Sequence, residues 1–212
     1  MPSKSSEKKK PSSDKQEKKR SERSAAVARP PGPVMGLDLS LRGCGVSVLS
    51  RKGKVRHLDV LRTGPIAAKA DGLKLAPRGL LASGTFLGSD EERIAFLVKR
   101  LRKVWLSEEC CFVVVENHAF GAKGRGKTQL AELHGVVKHY LNKDEIAFAF
   151  VAPGTLKKHA TGDGRAQKID MIYAAKKTGL DVSDSDRADA LWCGDYGVKL
   201  YGDLVESDSD PE

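Results

Sequence analysis

The chain has 212 residues, 40% of them hydrophobic, with a formal net charge of +9. That is enough for one ordinary domain with tails. No apolar run approaches the ~20 residues that span a membrane, and no signal-peptide core is visible near the N-terminus. The charge suits a polyanionic partner, with a solvated basic surface as the plain alternative.

Residues 1–33 are Lys, Ser, Glu, Pro and Arg with almost nothing apolar, and are expected to be a disordered basic tail. Lys8-Lys9-Lys10 and Lys18-Lys19-Arg20 fit a nuclear signal, a DNA-tethering arm or a solubilising tail equally well. Three short strands are predicted over 34–39, 43–49 and 55–61, with Gly43 and Gly53 in the turns, which reads as an antiparallel meander. Residues 63–88, rich in Gly, Ala and Pro, read as a long loop or small insertion. Ser89 reads as a helix N-cap, followed by Asp90, Glu91 and Glu92 and then an apolar stripe of Ile94, Leu97, Val98, Leu101 and Val104.

A strand over 111–116, a glycine-rich loop over 121–126, a helix over 127–142 and a strand over 146–151 follow. Helices are expected at about 153–159, 167–178 and 184–200, with 203–212 as a disordered acidic tail. The domain is thus placed at 34–202. The fold class is α/β: a mixed five-stranded sheet, the three-strand meander plus two further strands, with helices on both faces. Cys44, Cys110, Cys111 and Cys193 form no C-x-x-C pair; Cys44 and Cys111 fall within apolar runs and read as buried free thiols, which fits a reducing compartment. Trp105 and Trp192 fall on apolar helix faces and read as core.

Gly121-Ala122-Lys123-Gly124-Arg125-Gly126-Lys127-Thr128 matches the phosphate-binding pattern G-x-x-x-x-G-K-T between a strand and a helix. A nucleotide-binding site of that kind needs a later strand ending in Asp for magnesium. The later strand here ends in Val151-Ala152-Pro153, four strands precede the loop, and Glu116 would face the bound phosphates. The loop is read instead as a DNA-backbone contact through Lys123, Arg125 and Lys127, with no nucleotide cofactor.

Four acids carry the chemistry. Asp38 ends the apolar run Val34-Met35-Gly36-Leu37, and Glu116 ends Cys111-Phe112-Val113-Val114-Val115. Asp186 and Asp189 are three apart, on one face of a helix. Brought together, they could hold two hard cations. Asp38 could otherwise cap a turn, and Asp184, Asp186 and Asp189 could simply be acids favoured at a helix N-terminus.

These segments resemble the RuvC-type Holliday junction resolvases, nucleases of the RNase H-like superfamily. Met35 to Gly45 resembles the family's opening motif, Val115-Glu116-Asn117 its second acidic motif, and Asp186-Arg187-Ala188-Asp189-Ala190-Leu191 its closing one. The spacing from Glu116 to Gly135 in the next helix is also similar. Val151-Ala152-Pro153 with Leu156-Lys157-Lys158-His159-Ala160-Thr161-Gly162-Asp163-Gly164-Arg165-Ala166-Gln167-Lys168 resembles the family's basic segment. The likeness spans about residues 34–197.

The resemblance implies an RNase H-like fold, a homodimer, and paired nicking of four-way DNA junctions. It implies two Mg2+ ions per site, which Mn2+ could replace, held by Asp38, Glu116, Asp186 and Asp189. Lys168 would act beside the scissile phosphate, and Lys157 and Lys158 on the junction backbone. The family's wedge aromatic lies three residues after the Glu; here that position is Ala119, and Phe120 follows. A nuclease with wider taste for forks and flaps, or a silent junction-binding protein, are the competing functions. The expected location is cytoplasmic for a bacterial or viral host, nuclear or organellar for a eukaryote.

Overall fold

The computed structural model describes residues 30–63, 89–117 and 125–207, with backbone only for 125–127 and 203–207. The expected basic tail up to residue 29, the long segment from residue 64 and the loop at 121–124 lie outside the described residues, as does 208–212. Five strands form one sheet: β1 (Val34–Asp38), β2 (Gly43–Leu49), β3 (Val55–Arg62), β4 (Phe112–Glu116) and β5 (Ala147–Val151). Their order is β3-β2-β1-β4-β5. The first three form the expected antiparallel meander, while β4 pairs parallel with β1 and β5 parallel with β4.

Five helices are described: α1 (Asp90–Ser107), α2 (Arg125–Lys143), α3 (Pro153–Thr161), α4 (Lys168–Lys177) and α5 (Ser185–Ser207). Ser89 caps α1 as expected, its hydroxyl accepting from the Glu92 amide while the Glu92 carboxylate accepts from the Ser89 amide. Helix α2 starts two residues earlier than the sequence suggested, so Arg125 joins Lys127 in its first turn rather than belonging to the loop. Helix α5 runs on through Ser207, past the expected domain boundary at 202.

The central strand β1 is covered on both faces, which is why its side chains are apolar almost without alternation. Met35, Leu37, Val46, Val48, Val113 and Val115 face α1 and α2, where Leu97, Leu101, Trp105, Leu133 and Val137 complete the larger core. Val34, Phe112 and Val114 face the other way, toward α5 and Leu156 of α3. Trp105 is fully buried, and its indole N–H donates to Asp144, 2.9 Å away. Trp192 is buried too, donating to the Met171 carbonyl. All four cysteines are free; Cys44 is buried as expected, as are Cys110 and Cys193, whereas Cys111, one residue before β4, is only half-buried.

Candidate active site

Strand register brings the first two acids together. Leu37 pairs with Val115 across the parallel β1–β4 ladder, and one residue further along each strand stand Asp38 and Glu116. Side chains alternate along a strand. Asp38 therefore shares the face of Val34 and Gly36, and Glu116 that of Phe112 and Val114, which is the face covered by α5.

Helix α5 supplies the rest, and its placement depends on contacts with no side chain between backbones. A Cβ on Gly36 would collide with the Gly194 amide and the Ala190 carbonyl, and one on Gly45 with the Asp186 carbonyl. The helix thus rests on β1 and β2 directly. The Ser47 hydroxyl, wholly buried, donates to the Ala190 carbonyl at 2.6 Å and fixes the helix along its axis. Asp184 caps the N-terminus, accepting from the Arg187 amide at 2.9 Å, and so is an acid favoured at a helix start.

The outcome is a cluster of three half-buried carboxylates. Asp38, Glu116 and Asp189 each offer an oxygen, all within 4.8 Å of one another. Burial, with Asp189 and Asp186 nearby, pushes Asp38 up to about 7. Burial and the charges of Asp38 and Asp189 push Glu116 up to about 8. Burial also raises Asp189, to about 6, with Lys168 working against it. Beneath the cluster, the buried Cys193 thiol is held well above its ordinary value by burial and by these same three acids. Oxygen ligands this close, in a place where their charge is disfavoured, fit a hard divalent cation.

The fourth acid stands slightly apart. Asp186 is close enough to raise both Asp38 and Asp189, but its carboxylate lies 3.8 Å from the Arg62 guanidinium. Arg62 ends β3 and was not a candidate from the sequence, because nothing in a strand-terminal arginine marks its distant partner. Its backbone is pinned: the buried Thr63 hydroxyl donates to the Leu41 carbonyl, and the Thr63 amide to the Arg42 carbonyl at 3.3 Å.

The basic residues arrive on a helical hairpin. Helix α3 ends at Gly162, whose φ of 84° suits glycine and whose amide closes on the Lys158 carbonyl at 2.9 Å. The chain then turns back into α4. Lys168, the first residue of α4, lowers the carboxyl groups of Asp38, Glu116 and Asp189 electrostatically. Lys157 acts likewise on Glu116 and Asp189. Lys158, the next residue on α3, is exposed, with its Cβ toward Gly164. Phe120, Lys123 and the side chains of Arg125 and Lys127 lie outside the described residues. Strand β5 ends in Val151-Ala152-Pro153, so it brings no acid to the phosphate-binding pattern.

The chain is similar to the crossover junction endodeoxyribonuclease RuvC of Anaeromyxobacter sp. (strain K), 31% identical over 159 residues, covering 74% of this chain and 76% of the relative. RuvC of Carboxydothermus hydrogenoformans is 27% identical over 178 residues, covering 81% of this chain and 99% of the relative. No protein-family model matches the chain. Among solved structures, Thermus thermophilus RuvC superposes with a TM-score of 0.60 at 18% identity, covering 85% of this chain and 99% of its own. The yeast mitochondrial Holliday junction resolvase Ydc2 gives 0.51 at 14% identity, covering 93% of this chain and 92% of its own. These likenesses carry the fold, the mixed five-stranded RNase H-like sheet with helices on both faces. With the ordered acidic and basic motifs in place and a relative 31% identical across most of its length, this chain belongs to the RuvC family.

Proposed function

We propose that the chain is a structure-specific endonuclease that resolves four-way DNA junctions by magnesium-dependent hydrolysis of one phosphodiester in each of two strands. The observation that carries this reading is the convergence of Asp38, Glu116 and Asp189 within 4.8 Å in a field supplied by Lys157 and Lys168. The family relatives are named crossover junction endodeoxyribonucleases, and one Thermus thermophilus RuvC was solved in complex with Holliday junction substrate.

Asp38, Glu116 and Asp189 would hold one cation, and Asp186 would complete the ligands for a second. Such ions supply Lewis acidity at the scissile phosphate and lower the pKa of water, and Mn2+ could supply the same. The chain's own residues do the rest. Lys168 stands where it would offset negative charge on the phosphoryl oxygens during in-line attack by water. The bond to the 3′ oxygen breaks as the water oxygen bonds to phosphorus, leaving a 5′ phosphate and a 3′ hydroxyl without a covalent enzyme intermediate. Lys157 and Lys158 would hold the backbone in register, with Lys123, Arg125 and Lys127 as further contacts and Phe120 as the junction wedge. A two-fold homodimer would place one such site on each of two strands. The two RuvC relatives compared by sequence are bacterial, which supports a cytoplasmic location.

The test is cleavage of a four-way junction, a fork and a plain duplex, with magnesium and with EDTA. Wild type should cut the junction in magnesium alone. Asp38→Asn or Glu116→Gln should lower the rate by at least about 10³-fold, equivalent to some 4 kcal/mol of barrier, and leave junction binding in EDTA intact. Equal cutting of fork and junction would widen the substrate class. Loss of binding together with cutting would show the acids to be structural.

A further inference from the structure

We propose that the outer face of α4, built on Ile169, Tyr173, Lys176 and Lys177, is a docking surface for the DNA arm that leaves the active site. This rests on the nuclease reading above and deepens it. Three large apolar side chains are prominently exposed among the described residues: Leu106 at 49%, Ile169 at 67% and Tyr173 at 62%. Two of the three stand one helical turn apart on α4. That helix already has its apolar anchor, since Met171 and Ala175 are buried on the opposite face. Ile169 and Tyr173 are therefore not needed to hold α4 down, and leaving both in water is unfavourable.

The surroundings point to a polyanion. Lys176 and Lys177 are exposed in the last turn, and the Lys177 ammonium lies 4.5 Å from the Tyr173 ring centroid. Arg165 is exposed just before the helix. The one acid on α4, Asp170, is committed to capping, its carboxylate accepting from the Gln167 amide at 2.8 Å. Two apolar side chains are too small an area for a protein interface of ordinary size. They suit the faces of sugars and bases between phosphates, where an aromatic ring flanked by cations is a usual contact.

Position decides which nucleic acid. Helix α4 begins at Lys168, whose charge reaches all three clustered acids. Its ten residues extend about 15 Å from there. That is room for roughly four nucleotides at about 3.4 Å each. A strand cut at the cluster would run along this face as it leaves.

The test uses the full chain, fluorescence anisotropy on a four-way junction in EDTA, and cleavage of the same junction in magnesium. The double variant Ile169→Ser, Tyr173→Ala should weaken binding about 10-fold, the size of a lost stacking contact. It should leave the salt slope unchanged, because no ion pair is lost. Tyr173→Phe should restore most of the affinity in the Ile169 wild-type background. Lys176→Ala with Lys177→Ala should flatten the slope of log K against log salt by about 1.8. Cutting at saturating DNA should stay within about twofold of wild type for both double variants. A photo-crosslinker placed at position 173 should capture the DNA strand. Unchanged affinity in both double variants would overturn the proposal. So would a change in sedimentation with DNA affinity intact, which would make the face a contact between protein copies. Wild-type protein that neither binds nor cuts a junction would fail earlier, overturning the nuclease reading and this surface with it.

Discussion

Crowding governs the site at the scale of single residues. Asp38, Glu116 and Asp189 are each raised, to about 7, 8 and 6, and burial is the largest cause for all three. Their unfolded values lie near 4. The folded protein therefore holds more protons than the unfolded chain between about pH 4 and pH 8. Raised acids contribute stability that is present at the low end of that window and is lost as pH rises through the folded values. The melting temperature in EDTA should accordingly fall by about 5 °C or more from about pH 5 to pH 8. A divalent cation should restore it, most strongly at the alkaline end, because it binds the ionised ligands. Asp38→Asn removes one crowded charge. It should melt higher than wild type in EDTA at about pH 8 and show no gain on adding magnesium. A metal-free melting temperature that climbs across the window would mean the carboxylates do not repel one another as described.

The decisive element is α5, because two of the acids ride on it and its distance from the sheet is set by glycine. Gly45→Ala would drive a Cβ into the Asp186 carbonyl, and backbone cannot swing aside as a long side chain could. The helix must lift at the end that carries Asp186 and Asp189. The expected cost is roughly 3 kcal/mol of stability, together with loss of the magnesium-dependent rise in melting temperature. Ser47→Ala removes one buried hydrogen bond but adds no atoms, and the Ala190 carbonyl keeps its place within the helix. It should cost about 1 kcal/mol and keep the magnesium response. Calorimetric melting of both variants, with and without magnesium, separates spacing from simple stability. If Gly45→Ala responds to magnesium like wild type, the close approach does not set the site.

Charge is a property of the whole molecule. A net +9 on 212 residues surrounds a pocket of acids, so DNA is drawn to the surface while the cluster itself repels phosphate until cations are bound. Binding should therefore be strongly salt-dependent. Junction affinity should fall by about 10³-fold or more between about 50 and 200 mM salt. Single-turnover cutting at saturating DNA should change by less than about threefold over that range, because in the proposed reaction the carboxylates and Lys168 would act at contact distance and be screened little. Cutting at saturation that falls in step with affinity would place the salt-sensitive contacts in the reaction itself rather than in docking.

Much of this was legible in the chain before folding. Strand and helix periods are local, so the meander, the capped α1, the helical hairpin around Gly162 and the two strand-end acids follow from neighbours in sequence. The pairing of Asp38 with Glu116 was visible only as two similar strand ends, and the parallel register made them adjacent. Three things appeared only in the structure. Asp186 faces Arg62 at 3.8 Å while standing beside Asp38 and Asp189, a partnership between a helix start and a strand end that no local pattern encodes. The backbone-to-backbone approach of α5 at Gly36 and Gly45 depends on residues far apart in the chain, each unremarkable by itself. The helix also continues to Ser207 through an acidic stretch that composition alone assigned to a tail. Local propensity fixes which element a segment forms, but where two elements meet is set by side-chain volume and burial across the whole fold, and the geometry of the acidic cluster is a product of that second step.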